Sequence, residues 1–152
     1  MLTIAIESPL SPDGLALLAG SDAALSEVFL PEEIFTLDPR QLAAPAIRFF
    51  VARSGGVPVG CVALRDCSDF GEVKRLFVAP AGRGLGVARA LMAGLEAEAA
   101  AQGLSQVLLE TSDRLVPATA LYASLGYRVR GRFGDYDDHP ASLFMGKAVG
   151  AA

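Results

Sequence analysis

The feature that most constrains the fold is a glycine-rich turn between an apolar strand and a long amphipathic helix. Residues 72–78 are predicted as strand, Pro80 breaks it, and a helix is predicted over residues 84–102. The helix carries an apolar stripe formed by Val87, Ala88, Leu91, Met92, Leu95 and Ala99. Glycines at a helix start leave backbone N–H groups free at its positive end, which predicts a cradle for an anion such as pyrophosphate. A tight turn that binds nothing is the alternative.

The hydrophobic period predicts the remaining elements in a definite order. Strands are predicted at residues 2–6, 47–52, 57–64, 107–109, 127–133 and 142–149, and helices at residues 12–25, 41–44 and 118–125. This alternation indicates a mixed α/β (α+β) architecture. The 152 residues fit one domain, residues 1–152.

Composition and charge argue against several classes of protein. The formal net charge is −4 and no basic run is present, so no nucleic-acid partner is expected. No apolar stretch approaches the ~18–20 residues of a membrane span, and the first residues, which include Glu7, lack a basic segment. Cys61 and Cys67 form neither a disulfide framework nor part of a metal-ligand cluster. We therefore expect a cytoplasmic protein without a metal or a membrane partner.

The residues of the turn distinguish among known phosphate-binding motifs. A P-loop would need a lysine after the glycines, and the dinucleotide fingerprint would place its final Gly or Ala at Arg89. The segment Arg83-Gly84-Leu85-Gly86-Val87-Ala88 instead matches Arg/Gln-x-x-Gly-x-Gly/Ala, the acetyl-CoA motif of the GNAT N-acetyltransferases. Further along, Leu121-Tyr122-x-x-Leu125-Gly126-Tyr127 is similar to the family's second motif. The chain thus resembles this family over about residues 58–149.

The resemblance implies a fold and an activity. The fold would be one GNAT-like domain, with a mixed, mostly antiparallel sheet of six to seven strands that splays between its fourth and fifth strands, and about four flanking helices. The activity would be transfer of an acetyl group from acetyl-CoA, as cosubstrate, to a primary amine, with a small molecule as the acceptor. Acetylation of protein lysines or N-termini is an alternative, as is a non-catalytic CoA-binding sensor. A homodimer is a further expectation of the resemblance.

The resemblance also assigns roles to residues. Tyr122 would be the general acid that protonates the departing thiolate, and Glu72 the general base that acts on the amine. A surface glutamate paired with Lys74 or Arg75 is the alternative for Glu72. Acetyl-CoA would be bound by Leu76, Phe77, Val78, Arg83, Gly84, Leu85, Gly86, Val87 and Ala88, with N–H groups near Phe77 and Val78 receiving the carbonyl oxygen. Leu115 stands where the family often has asparagine, which removes one hydrogen bond to the cosubstrate.

Two loops contain candidate acceptor-binding residues. Aromatic and acidic side chains occur together in both, and this combination suits a cationic amine. They are Phe29, Glu32, Glu33 and Phe35 in the earlier loop and Phe133, Asp135, Tyr136 and His139 in the later one. Glu110, at the end of the fifth strand, is a further candidate, and an ordinary polar loop rim is the alternative for all of them.

Overall fold

A computed structural model describes residues 1–34 and 36–150 of the chain. The described residues form seven strands and four α-helices, and two 3₁₀ turns lie at Pro31–Glu33 and Pro80–Gly82. The strands are β1 (Leu2–Ile6), β2 (Ile47–Ser54), β3 (Val57–Asp66), β4 (Gly71–Val78), β5 (Gln106–Thr111), β6 (Arg128–Arg130) and β7 (Leu143–Ala148). The helices are α1 (Pro12–Ser26), α2 (Pro39–Leu42), α3 (Val87–Ala101) and α4 (Val116–Ser124).

The strands form one sheet in the order β1-β2-β3-β4-β5-β7-β6. All neighbouring strands run antiparallel except β4 and β5, whose parallel pairing is limited to Gly71–Val73 against Val107–Leu109. Beyond Val73 the two strands diverge. The predicted mixed sheet with a splay between its fourth and fifth strands is therefore confirmed.

Helices cover both faces of the sheet. On one face α3 buries Leu91 and Leu95 against Val62, Leu64 and Leu109. On the other, α1 buries Leu17 and Leu18 against Phe49, Val51 and Cys61. The predicted stripe of α3 is buried except at Ala88, which is half-buried, whereas Leu15 of α1 is exposed.

Two predicted boundaries were wrong by three residues, and the others differ by two residues or fewer. Helix α3 begins at Val87 rather than at residue 84, because Gly84 and Gly86 take φ values of 80° and 74°, outside the helical region. The strand predicted over residues 127–133 is only Arg128–Arg130, and the chain then leaves the sheet as a loop before β7.

Candidate active site

A cavity of about 270 Å³ lies where β4 and β5 diverge. Its walls come from both of these strands, from α1 and the loop after it, from α4, and from the loop before β7. A gap between parallel strands, closed by loops at the ends of the elements, is a common position for a ligand site. The side chains that matter for its chemistry are Phe29, Glu33, Lys74, Arg75, Glu110, Tyr122, Tyr136 and Ser142.

The glycine-rich turn forms an open cradle at the start of α3. A Cβ atom placed on Gly84 or on Gly86 would meet no protein atom within 4 Å, so this side of the turn is open. The Ala90 N–H donates to the Gly86 carbonyl at 3.1 Å, so the N–H groups of the first residues of α3 have no acceptor within the helix. The N–H groups of Arg83 and Leu85, by contrast, donate to the carbonyls of Pro80 and Gly82. The backbone of this turn therefore has the form required to hold a phosphate group.

The other residues predicted to bind acetyl-CoA differ in how far their side chains are exposed. Leu76 and Phe77 line the cavity. Val87 is 2% exposed and packs in the core, so it would offer only backbone atoms to a ligand, and Val78 is half-buried against the same cluster. Arg83 and Leu85 are exposed on the turn, and Ala88 is half-buried.

A bulge at Arg75 sets the path of β4. The β3–β4 register shifts between Cys61 and Ala63, and Arg75 takes a φ of 59°. The Arg75 guanidinium is buried and donates to Asp22 at 2.7 Å and to the Leu18 carbonyl at 3.0 Å, which ties the bulge to α1. The Cys61 thiol contacts the Arg75 carbonyl at 3.5 Å, and burial raises its pKa to about 12. Cys61 is thus a protonated core residue.

Tyr122 points its side chain into the cavity from α4. It is 6% exposed, and its ring packs edge-on against Tyr127 with 5.8 Å between centroids. Burial, together with the negative charge of Glu110, raises the pKa of the phenol far above neutrality. Within residues 1–34 and 36–150 no side chain or backbone group is hydrogen-bonded to its hydroxyl. The hydroxyl is therefore protonated and available to a ligand.

Glu72 lies in a buried polar cluster beside the cavity. It is 2% exposed, forms an ion pair with Lys74 at 3.0 Å, and accepts a hydrogen bond from the Tyr136 hydroxyl at 2.5 Å. Lys74 also contacts the Tyr136 hydroxyl, and Arg65 stands 3.8 Å from the carboxylate. Glu72 itself does not line the cavity, unlike Lys74 and Tyr136. Lys74 is thus its partner, as one interpretation of the sequence had it, but the site is buried rather than on the surface.

Glu110 projects into the cavity from the end of β5. One carboxylate oxygen accepts a hydrogen bond from the Ser142 hydroxyl at 2.9 Å. Burial raises the pKa of this carboxyl, an effect opposed by the Ser142 hydrogen bond and by the positive charges of Lys74 and His139 and reinforced by Glu72. A carboxylate with a raised pKa beside a reacting amine can accept a proton near neutral pH.

The candidate acceptor residues divide into two groups. Phe29, Glu33 and Tyr136 join Glu110 at the cavity. Four of the remaining candidates do not line it. Glu32 and Asp135 are exposed, and the His139 ring accepts a hydrogen bond from the Ala141 N–H at 3.0 Å. Phe133 is buried in an aromatic cluster with Phe70, Tyr136 and Phe144. Phe35 lies outside the described residues.

Sequence reasoning did not find an ion pair that joins two loops at the cavity. The Arg114 guanidinium contacts Glu33 at 2.9 Å and stands 5.4 Å from the centroid of the Phe29 ring. These residues are 81 positions apart, and no pattern in the sequence pairs them. Ser142, the partner of Glu110, was missed for the same reason.

Comparison with known proteins identifies the family. The model of the acetyltransferase (GNAT) family matches residues 17–127. The chain is 44% identical to the IAA acetyltransferase of Azospirillum brasilense, over 97% of this chain and 98% of the relative. It is 33% identical to the uncharacterized N-acetyltransferase YsnE of Bacillus subtilis (strain 168), over 78% and 81% of the two chains.

Solved structures agree with this assignment. A structure from Klebsiella pneumoniae, assigned to the acyl-CoA N-acyltransferases, superposes with a TM-score of 0.82 at 33% identity and 98% coverage of both chains. The PaiA N-acetyltransferase of Thermoplasma acidophilum, solved with coenzyme A, shares the fold at 15% identity, with a TM-score of 0.74 and coverage of 97% and 99%. The chain belongs to the GNAT family and is an acyltransferase enzyme. None of its described helices is long and apolar enough to cross a membrane.

Proposed function

We propose that this enzyme transfers the acetyl group of acetyl-CoA to the primary amine of a small molecule. The observation that carries the proposal is the presence of the Tyr122 hydroxyl and the Glu110 carboxylate in one cavity at the gap between β4 and β5. An acid that stays protonated and a carboxylate with a raised pKa are the two groups that amide formation from a thioester requires. The open turn at Gly84 and Gly86 supports binding of the pyrophosphate.

In the proposed reaction each group has a separate task. The backbone of the turn holds the pyrophosphate, and the N–H groups of β4 near Phe77 and Val78 receive the carbonyl oxygen as negative charge grows on it. Glu110 takes a proton from the ammonium, so that the neutral nitrogen can bond to the carbonyl carbon. When the carbon–sulfur bond breaks, Tyr122 donates its proton to the thiolate, and the second proton that the nitrogen loses restores the Tyr122 hydroxyl. The products are an acetamide and free coenzyme A.

Glu110 is a better candidate for the base than Glu72. Glu72 is buried and Glu110 is half-buried, but Glu72 already accepts from Lys74 and Tyr136 and does not line the cavity. Glu110 does line it and is bonded to one neutral hydroxyl. On this proposal Glu72 has a supporting role, because its charge holds Lys74 and Tyr136 in place.

An acceptor screen with two separate readouts tests the proposal. Binding of acetyl-CoA is measured by calorimetry, and release of the coenzyme A thiol is measured with small amines, a lysine peptide and free N-terminal peptides. We expect binding and amine-dependent release with at least one small amine. IAA belongs on the panel because the Azospirillum brasilense relative is named an IAA acetyltransferase. Release with peptides alone would favour the protein acetyltransferase, and binding without any release would favour the sensor.

Two further expectations belong to this proposal. A cytoplasmic enzyme would meet acetyl-CoA directly, and fractionation of cells that express a tagged chain tests this location. A homodimer remains a prediction from the family resemblance, and light scattering on the purified chain measures it.

A further inference from the structure

Among the described residues, one carboxylate at the cavity has no direct ion-pair partner. Four Asp, Glu, Lys or Arg side chains line it, and within the described part of the chain three have ion-pair partners. Glu33 pairs with Arg114 at 2.9 Å, Lys74 with Glu72 at 3.0 Å, and Arg75 with Asp22 at 2.7 Å. The fourth, Glu110, is bonded to the Ser142 hydroxyl. A ligand that balances this site therefore carries one positive charge.

The wall from α1 and the loop after it is largely apolar, and its polar members are Ser21, Glu33 and Thr36. Leu25, Phe29 and Ile34 face the cavity there, and Leu115 faces it from the start of α4. Glu33 is the one acid among the described residues of this wall, and both of its carboxylate oxygens are already used, one of them accepting hydrogen bonds from the Leu30 N–H and from Arg114. A second ammonium group placed against this wall would lose its hydration without gaining a counter-ion.

The size and closure of the cavity restrict the acceptor further. Its volume of about 270 Å³ is below the roughly 300–1,000 Å³ typical of sites for drug-sized ligands. The acetyl group must share this space. The Arg114–Glu33 ion pair and the stacking of Arg114 on Phe29 connect the two loops across one side of it. An extended peptide would have to separate these contacts to enter from there.

We infer that the acceptor is a compact monoamine with an apolar body, and this inference rests on the proposed function. Its single ammonium group pairs with Glu110 and releases its proton there. Its hydrocarbon part packs against Phe29, Leu25 and Ile34. Polyamines and peptides are disfavoured, polyamines because their second charge has no partner, and peptides because of their length.

A matched acceptor series tests the inference. The acceptors are n-hexylamine, 2-phenylethylamine, ethanolamine, spermidine and an N-terminally blocked lysine peptide, each at saturating acetyl-CoA. We expect kcat/KM for the two apolar amines to exceed that for spermidine and for the peptide by about tenfold or more, since the apolar body adds buried area without a second charge. Higher kcat/KM with spermidine or the peptide would overturn the inference and leave amine acetylation intact.

Variants of the apolar wall provide a second measurement. Phe29→Ala should lower kcat/KM for n-hexylamine about tenfold and that for ethanolamine less than about twofold, because only the longer amine reaches the ring. Phe29→Leu keeps an apolar side chain and should restore most of the preference. Val129→Ala, on the exposed strand β6, is the control and should change neither value.

The results separate failure of the inference from failure of the proposed function. Equal losses for both amines in Phe29→Ala, in a variant that still binds acetyl-CoA, would show that the wall does not select the acceptor body. If the wild-type enzyme binds acetyl-CoA and acetylates no amine in the series or on the wider panel, the proposed function itself is wrong.

Discussion

Replacing Tyr122 with phenylalanine removes a single oxygen atom from the cavity and leaves the ring in place. The hydroxyl has no hydrogen-bond partner among the described residues, so its removal leaves no buried group unsatisfied. The edge-on contact with Tyr127 depends on the ring and is retained. We therefore expect the free energy of unfolding to change by less than about 0.5 kcal/mol.

The expected loss of activity follows from the task assigned to the hydroxyl. General acid catalysis is typically worth about 10²–10⁴-fold, but a thiolate is a tolerable leaving group and water can enter the cavity in place of the oxygen. We expect kcat to fall about 10–100-fold, which corresponds to ~1.4–2.7 kcal/mol of transition-state stabilisation, with nearly unchanged affinity for acetyl-CoA.

Tyr127→Phe is the matched control for this experiment. The Tyr127 hydroxyl donates a hydrogen bond to Glu96 at 2.9 Å, and Tyr127 does not line the cavity. The control should keep kcat and lose about 1 kcal/mol of stability. Steady-state kinetics, calorimetry with acetyl-CoA and urea unfolding are measured on the same preparations. Full kcat in Tyr122→Phe would refute the assignment of the acid, and loss of acetyl-CoA affinity alone would make Tyr122 a binding residue.

Three further substitutions test the cradle, the buried cluster and the base. Gly86→Val should weaken acetyl-CoA binding at least about tenfold, because the valine side chain would occupy the open side of the turn. Gly55→Val is the control for backbone strain, since Gly55 also has a positive φ but lies in the β2–β3 hairpin, and this variant should bind acetyl-CoA normally. Glu72→Gln should lower the free energy of unfolding by roughly 3 kcal/mol in urea titrations, since it leaves the charge of Lys74 buried without its counter-ion; a change below about 0.5 kcal/mol would contradict this account. Glu110 has a raised pKa and acts in its ionised form, so kcat/KM should fall as the pH drops through that pKa. Glu110→Gln should lower the rate and remove this decrease at acidic pH. If Glu72→Gln removes the decrease instead, Glu72 is the base.

The order of the helices and strands was predictable, because the period of the apolar residues changes from one element to the next. The start of α3 was not, since its apolar stripe continues through the turn and hydrophobicity carries no information about backbone angles. Positive φ at Gly84 and Gly86 moves the first helical residue to Val87. The length of strand β6 was overestimated because Phe133 was counted as a strand residue. Its ring instead packs in an aromatic cluster with Phe70, Tyr136 and Phe144.

Within the site, contacts between residues close together in the sequence were predictable, and contacts between distant residues were not. Of the two cations named as possible partners of Glu72, Lys74 is two positions along β4 and forms the ion pair. The depth of Glu72 was not predictable, because it depends on Tyr136, which is 64 positions away and covers the carboxylate. The Glu33–Arg114 contact spans 81 positions and depends on how two loops are packed. Local patterns therefore identified the motifs, and tertiary packing determined which charges remain available.

The short β4–β5 pairing also has a consequence for folding. Strands β1 to β4 form an antiparallel run of neighbours in sequence, whereas β5 reaches β4 only after the chain has crossed through α3. The pairing that completes this crossover joins only Gly71–Val73 to Val107–Leu109. These few hydrogen bonds offset little of the conformational entropy that is lost when the intervening chain is closed into a loop. We expect this seam to close late in folding and to open before the rest of the core. The active site lies on that seam, so a cosubstrate held across it would stabilise the whole fold by mass action, and the enzyme would unfold more readily wherever acetyl-CoA is scarce.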